Sequence, residues 1–297
     1  MVNGLLVVGD VVTDVIAVHD RPLAPGTDTA ARIRLLPGGA GANVACWAAR
    51  SGCSDVRLLA RVGSDGASWH EAALDRAAVR PLLVRDAEAP TATVVALVDA
   101  GAGAERTFLT DSGAVLRLSR DDWSPGLLDG MGHLHLSGYL FFADVSRRAA
   151  TAAMASARDR GVPVSVDPAS AGFISELGVD RFLAAVAGAD LLLPNADEAA
   201  LLTGLSAPEA AAAALSHRVP LVVVTLGARG ALVAAGGDVV ARVPALPVRP
   251  LDTTGAGDAF TGAFLASRLT GAPPGDAAAA GCRAAAEAVT TLGGRPG

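Results

Sequence analysis

The chain has 297 residues, of which 51% are hydrophobic and 18% charged, and its formal net charge is -6. That composition excludes a disordered or coiled-coil protein, and the acidic balance excludes nucleic acid and an anionic membrane as general partners, since both need a basic field. The same acidic balance requires any phosphate site to be local, and all 24 basic residues are Arg, which excludes a P-loop lysine and Schiff-base chemistry.

Cys46, Cys53 and Cys282 are odd in number and lack C-x-x-C spacing, as expected of free thiols in a reducing compartment. The N-terminus has no basic n-region and its apolar run breaks at Gly9 and Asp10, so it reads as a strand rather than a signal peptide. No apolar run reaches membrane-spanning length. The expected location is the cytoplasm.

Residues 5–8 form a short apolar run between Gly4 and Gly9, the pattern of a strand buried on both faces. Asp10 and Asp14 follow at its C-terminal end, where open α/β sheets bind ligands, so Asp14 is either a hydroxyl-binding carboxylate or a turn residue. Residues 15–36 lack a helical period and contain Pro22, Pro25 and Gly26, so they read as two short strands around a turn. A similar segment spans 91–109, where two strands flank Gly101 and Gly103, and the two segments can pair into one small sheet. Arg106 lies in the second segment, as a substrate contact or as a solvated strand residue.

Between them, P-G-G-A-G-A-N-V-A at 37–45 supplies glycines for close backbone approach before a helix over 42–50 that Gly52 stops. Val62, Gly63 and Asp65 follow, with Asp65 read as structural. From Gly130 onward, apolar runs at 132–136, 162–166, 189–193 and 219–224 alternate with Ala-rich stretches such as 146–160, which predicts a parallel sheet with helices on both faces. His133 and His135 alternate on one strand, but no third ligand has metal-binding spacing. Tyr139, Phe141 and Phe142 sit at a strand end, as core packing or as a wall for a ring. Asp167 ends another strand and is left without a role. Asn195 and Glu198 lie three apart where a strand meets a helix, a capping pattern on its own. Residues 225–230, T-L-G-A-R-G, leave a β-rich run through two glycines, as a nucleotide-binding turn does.

The chain is organised around 251–262, L-D-T-T-G-A-G-D-A-F-T-G. Gly255, Ala256 and Gly257 allow a tight turn with bare N–H groups, and the helix that follows aims its positive dipole end at the same point. Asp258 at that helix start is expected to stay ionised, and serves either as a cap or as a base that takes a proton from an attacking hydroxyl. An Ala-rich helix over 277–292 is expected to end at Gly293 and Gly294.

The D-T-T-G-A-G-D-A-F run with Gly262 resembles the C-terminal signature of the PfkB (ribokinase-like) carbohydrate kinase family, and 37–45 matches its N-terminal signature. The resemblance spans nearly the whole chain and implies an α/β, ribokinase-like fold: a doubly wound, mostly parallel sheet flanked by helices. It also implies a single kinase domain over 1–297 with a β-sheet lid at about 15–36 and 91–110, which often pairs with a second subunit. Asp258 is then the catalytic base and Gly255, Ala256 and Gly257 the anion hole. Asp14, Gly38, Gly39 and Asn43 bind sugar hydroxyls together with Asp258. Asn195, Thr225, Gly227, Gly230 and Gly257 bind ATP, Glu198 organises Mg²⁺ through water, and the last helix packs beside the adenine pocket. Asp252 and Thr254 match positions where potassium-dependent members hold K⁺. Ala40 stands where ribokinases usually carry Lys, which argues against ribose. The implied activity is ATP-dependent phosphorylation of a small sugar or sugar-like alcohol. The alternatives are a nucleoside kinase of the adenosine or pseudouridine type and a non-catalytic sensor on the same fold. Neutral sugars rank before nucleosides, and both before phosphosugars, because the lid offers only scattered arginines such as Arg32, Arg34 and Arg106.

Overall fold

A computed structural model describes residues 3–99 and 105–297. The first strand, β1 (Gly4–Val8), is buried along its whole length. There follow β2 (Val12–His19), β3 (Arg32–Gly38), α1 (Ala40–Arg50), β4 (Val56–Gly63), α2 (Ala67–Arg76), β5 (Val79–Asp86), β6 (Ala92–Asp99) and β7 (Glu105–Asp111). Strands and helices then alternate through β8 (Met131–Ser137), α3 (Asp144–Asp159), β9 (Val164–Asp167), α4 (Ala171–Leu177), α5 (Val179–Ala185), β10 (Leu191–Leu192), α6 (Ala196–Thr203), α7 (Pro208–Leu215) and β11 (Leu221–Thr225). The hairpin β12 (Ala231–Ala235) and β13 (Asp238–Val243) leads to α8 (Ala256–Leu269) and α9 (Pro274–Ala288).

The larger sheet has the order β13-β12-β11-β10-β9-β8-β1-β4-β5. Only the pairs that include β12 are antiparallel. Its two faces are covered by different helices, and the period-2 alternation of β1 sorts its side chains between them. Leu6 and Val8 pack with α3 to α7, whereas Leu5 and Val7 pack with α1, α2, α8 and α9. Successive strands run outward from β1 in opposite directions, through β4 and β5 on one side and β8 to β11 on the other. The C-terminal ends of β1 and β8 are therefore the switch point where such sheets leave a ligand crevice.

The smaller sheet has the order β3-β2-β6-β7, so the two separated segments do join. One transverse row of its register is Leu36, Asp14, Val94 and Thr110; the next is Leu35, Val15, Val95 and Leu109. Adjacent rows face opposite sides. Gly101 and Gly103 lie outside the described residues, as does the side chain of Arg106.

Three sequence expectations are corrected. Asp14 belongs to β2 of the smaller sheet rather than to a turn after β1, because pairing begins at Val12. Helix α1 starts at Ala40, not at 42, because the Asp10 carboxylate accepts from the N–H groups of Ala40 (2.6 Å) and Gly41 (3.0 Å) and satisfies the first turn. Helix α9 runs from Pro274 to Ala288 rather than over 277–292. Proline is suited to its first turn, and at the other end the Leu251 and Asp252 N–H groups bond the Val289 carbonyl as the chain turns back toward the crevice.

Candidate active site

A cleft of about 550 Å³ opens between the C-terminal ends of the large sheet and the inner face of the small one. Asp10, Asp14, Asp167, Glu198 and Asp258 all line it. Each carboxylate is held differently. Asp10 is buried, and besides starting α1 it accepts from Ser137 Oγ at the end of β8 (2.8 Å). The residue thus ties the switch-point strands to the glycine turn, and only its place after β1 signalled this.

Asn43 is the other link. From α1 its Nδ2 donates to Asp258 Oδ2 across 2.8 Å, joining residues 215 apart in the chain. Its Oδ1 is buried without a hydrogen-bond partner among the described residues. Helices α1 and α8 approach closely enough for this because Gly262 has no side chain; a Cβ there would stand 2.5 Å from the Val44 carbonyl oxygen and 2.8 Å from the Ala48 nitrogen. The last glycine of 251–262 therefore serves packing that aims Asn43, and does not touch the cleft.

Gly255 precedes α8 with φ 74°, and a Cβ there would lie 2.4 Å from Gly294 Cα. Both the left-handed backbone and the returning tail require glycine. Gly257 is the opposite case: a Cβ would meet nothing within 4 Å, because the residue faces the open cleft. Asp258, in the first turn of α8, was expected to stay ionised. Burial instead pushes its pKa up to about 8, aided by the charges of Asp167, Asp10 and Asp14 and opposed by the Asn43 hydrogen bond. Removal from water and like charges outweigh the helix dipole here.

At the small-sheet side, Asp14 is raised to about 6, first by burial, with Arg295 pulling it down and Asp10 and Asp252 pushing it up. Its carboxylate occupies the space beside Gly38, where a Cβ would lie 2.0 Å from Oδ2. Gly39, with φ 98°, would clash through a Cβ with the Asp10 carbonyl oxygen at 2.6 Å. The glycine pair thus exists to let β1, β2 and the start of α1 meet.

At the other end, Asn195 and Glu198 form a reciprocal capping box: the Glu198 N–H donates to Asn195 Oδ1 and the Asn195 N–H to Glu198 Oε2, both at 2.9 Å. Glu198 is buried, and its pKa is raised by that burial and then by Asp167. Asp167 is itself raised by burial, while it accepts from Ala169 N and Thr261 Oγ1. Thr225 lines the cleft beside Asn195, with which it forms a bridge. Gly227 and Gly230 shape the following turn with φ 58° and 95°, and do not line the cleft. Asp252 is buried, accepts from the Thr254 N–H (2.9 Å) and the Gly293 N–H (3.0 Å), and so ties the turn before α8 to the tail.

The aromatic trio divides. Phe141 is fully buried in the core, Tyr139 lines the cleft, and Phe142 stacks at 5.1 Å on Phe173, which also lines the cleft and which no sequence signal marked. Asp65 accepts from the Thr91 N–H and hydroxyl (2.9 and 2.7 Å), joining the large sheet to the start of β6. His133 and His135 share Ser165 Oγ, each at 2.8 Å, inside the sheet layer. No group of three metal-ligating side chains was found among the described residues, nor any helix long and apolar enough to cross a membrane.

Residues 2–297 match the family model described as pfkB family carbohydrate kinase. A fructokinase of Klebsiella pneumoniae is 32% identical, over 93% of this chain and 88% of its own. Among solved structures, the ribokinase of Thermotoga maritima superposes with a TM-score of 0.83 at 26% identity, covering 98% of this chain and 94% of its own. The aminoimidazole riboside kinase of Salmonella enterica, solved with aminoimidazole riboside and an ATP analogue, gives 0.80 at 25% identity, with 98% and 95% covered.

Proposed function

The chain belongs to the PfkB carbohydrate kinase family, an ATP- and Mg²⁺-dependent carbohydrate kinase with a ribokinase-like fold, and from that premise we propose how its residues divide the work. Asp258 is the base for the attacking hydroxyl. Asp14, Asn43 and the backbone of Gly38 and Gly39 hold the neighbouring hydroxyls, and the N–H groups of Gly255, Ala256 and Gly257 form the anion hole. The observation that carries this reading is the 2.8 Å bond from Asn43 to Asp258, which brings the two signatures to one wall of one cleft.

The donor set suits the co-substrate. Glu198 beside Asp167 offers oxygen ligands of the kind a hard divalent cation takes, and Gly257 leaves the helix start bare. When bound, ATP supplies the phosphoryl group and Mg²⁺ neutralises its charge. Glu198 acts toward the metal, and Asn195, Thr225 and the 227–230 turn act toward the nucleotide. Asp258 withdraws the hydroxyl proton, and the anion-hole N–H groups, fixed before reaction, receive charge without reorganising. Positioning supplies most of the remaining acceleration.

Asp252 and Thr254 are assigned to a monovalent cation that steadies the turn before α8. A homodimer forms through the outer face of the small sheet, where Ile33, Leu35 and Leu109 are exposed. The substrate is a neutral sugar, because among the described residues the cleft lining carries carboxylates, two amides and hydroxyls and no arginine. A nucleoside is the second reading, favoured by Tyr139 and Phe173 in the lining. ADP release measured over free hexoses, pentoses, sugar acids, nucleosides and hexose phosphates tests the assignment. Turnover of a free sugar that depends on Asp14 is expected; turnover of nucleosides alone overturns the sugar reading.

A further inference from the structure

The tail after α9 returns to the cleft and inserts one arginine behind its sugar end. Three contacts seat it. Trp47 Nε1 donates to the Gly294 carbonyl across 2.9 Å, the Gly293 N–H donates to Asp252, and Arg295 Nη2 donates to the Gly38 carbonyl across 2.9 Å. The last contact spans 257 residues of chain. Arg295 Nε and Nη1 are buried without a hydrogen-bond partner among the described residues. A guanidinium so placed is expensive unless negative charge faces it.

The negative charge is at hand. Asp14 and Arg295 flank the same glycine, Asp14 against its Cα and Arg295 on its carbonyl. Of the groups that act on Asp14, Asp10 from the end of β1 and Asp252 from the turn before α8 are both carboxylates. Arg295 is the one cation among them. Arg32 and Arg34 of the adjoining β3 are exposed to solvent. His70 from α2, also near Arg295, is held neutral well below neutral pH by burial.

We propose that Arg295 is a positioning residue for the sugar: it fixes the Gly38 carbonyl and, among the described residues, supplies the one positive charge that keeps Asp14 a carboxylate able to accept substrate hydroxyls. The inference rests on the assignment of Asp14 to the sugar. Without Arg295, Asp14 faces the carboxylates of Asp10 and Asp252 in a buried site and holds its proton to higher pH. A protonated Asp14 donates one hydrogen bond where the ionised group accepts several, and the sugar loses its acceptor.

The test uses the free sugar with the highest kcat/KM among D-fructose, D-ribose, D-glucose and D-gluconate, and compares Arg295→Met, Arg295→Lys, Asp14→Asn and Asp14→Asn/Arg295→Met. Arg295→Met is expected to raise the sugar KM about twofold at pH 7 and about tenfold at pH 5, with kcat and the ATP KM within about twofold. The pH below which the sugar KM climbs should move up by about one unit from its wild-type position near 6, and Arg295→Lys should move it most of the way back. The double variant should bind sugar no worse than Asp14→Asn alone, since the arginine acts through that carboxylate. If Arg295→Met leaves the KM profile in place, or lowers kcat, ATP affinity and melting temperature together, Arg295 is merely structural and the inference fails. If Asp14→Asn leaves the sugar KM unchanged, or no sugar is phosphorylated, the assignment beneath it fails instead.

Discussion

The two ends of the cleft are assembled in different ways. At the nucleotide end, the cap of α6 and the turn after β11 are closed by hydrogen bonds between residues within a few positions of one another: Asn195 with Glu198, and the Gly230 N–H to the Gly227 carbonyl. At the sugar end the contacts that fix functional groups join separate segments, over 215 residues from Asn43 to Asp258, over 257 from Arg295 to Gly38, and across α8 and α9 from Gly255 to Gly294. A local motif survives small shifts elsewhere in the fold. A site made of distant pieces depends on the packing of α1, α8 and the tail, and small residues at the points of contact set its precision.

The largest effect that follows is chemical. Asp258→Asn should lower kcat by at least about a hundredfold while ATP affinity and melting temperature hold, as expected for removal of a general base. Near-normal turnover would remove Asp258 from the mechanism.

Two glycine substitutions sharpen the comparison, because both positions have positive φ and only one is crowded. Gly255→Ala adds a backbone collision with Gly294 to the left-handed cost. It should destabilise the protein by on the order of 3 kcal/mol and cut kcat about tenfold, as the anion hole and tail move together. Gly227→Ala meets nothing within 4 Å and should cost only about 1 kcal/mol, with kcat at saturating ATP nearly unchanged. Thermal melts and turnover of the pair measure the contrast, and equal losses would remove it.

What could be read from the sequence follows the same division. Glycines next to Asp258, the Asn195 and Glu198 pair and the 225–230 turn are local patterns, so the sequence marks them, and the alternation after Gly130 marks the sheet. The capping role of Asp10, the aromatic wall of Phe173 and the reach of Arg295 are products of topology. Arg295 lies past the last helix, in a tail whose direction is set by the Val289 carbonyl, and no periodicity predicts that it meets Gly38. The ionisation of Asp258 failed for a related reason. A helix dipole is visible in sequence, but three carboxylates arriving from β1, β2 and β9 are not.

The smallest effect concerns the turn before α8, whose carboxylate Asp252 already bonds two backbone N–H groups. Since the turn is partly held without a cation, replacing K⁺ by tetramethylammonium at constant ionic strength should lower kcat only several-fold. An unchanged rate rules out a cation at Asp252 and Thr254.

The central claim is that the assembled cleft makes Asp258 a base poised near the working pH, and the pH dependence of kcat/KM for the sugar tests it most directly. With ATP also far below its KM, this quantity reports the free enzyme. Asp258 lies above the ordinary carboxylate value of 3.8, so its inactive acid form accumulates as pH falls below about 8. The rate should rise about tenfold per pH unit up to that point and level off above it, falling more steeply below about 6 where Asp14 also takes up its proton. A profile flat from pH 6 to 9 would contradict the account.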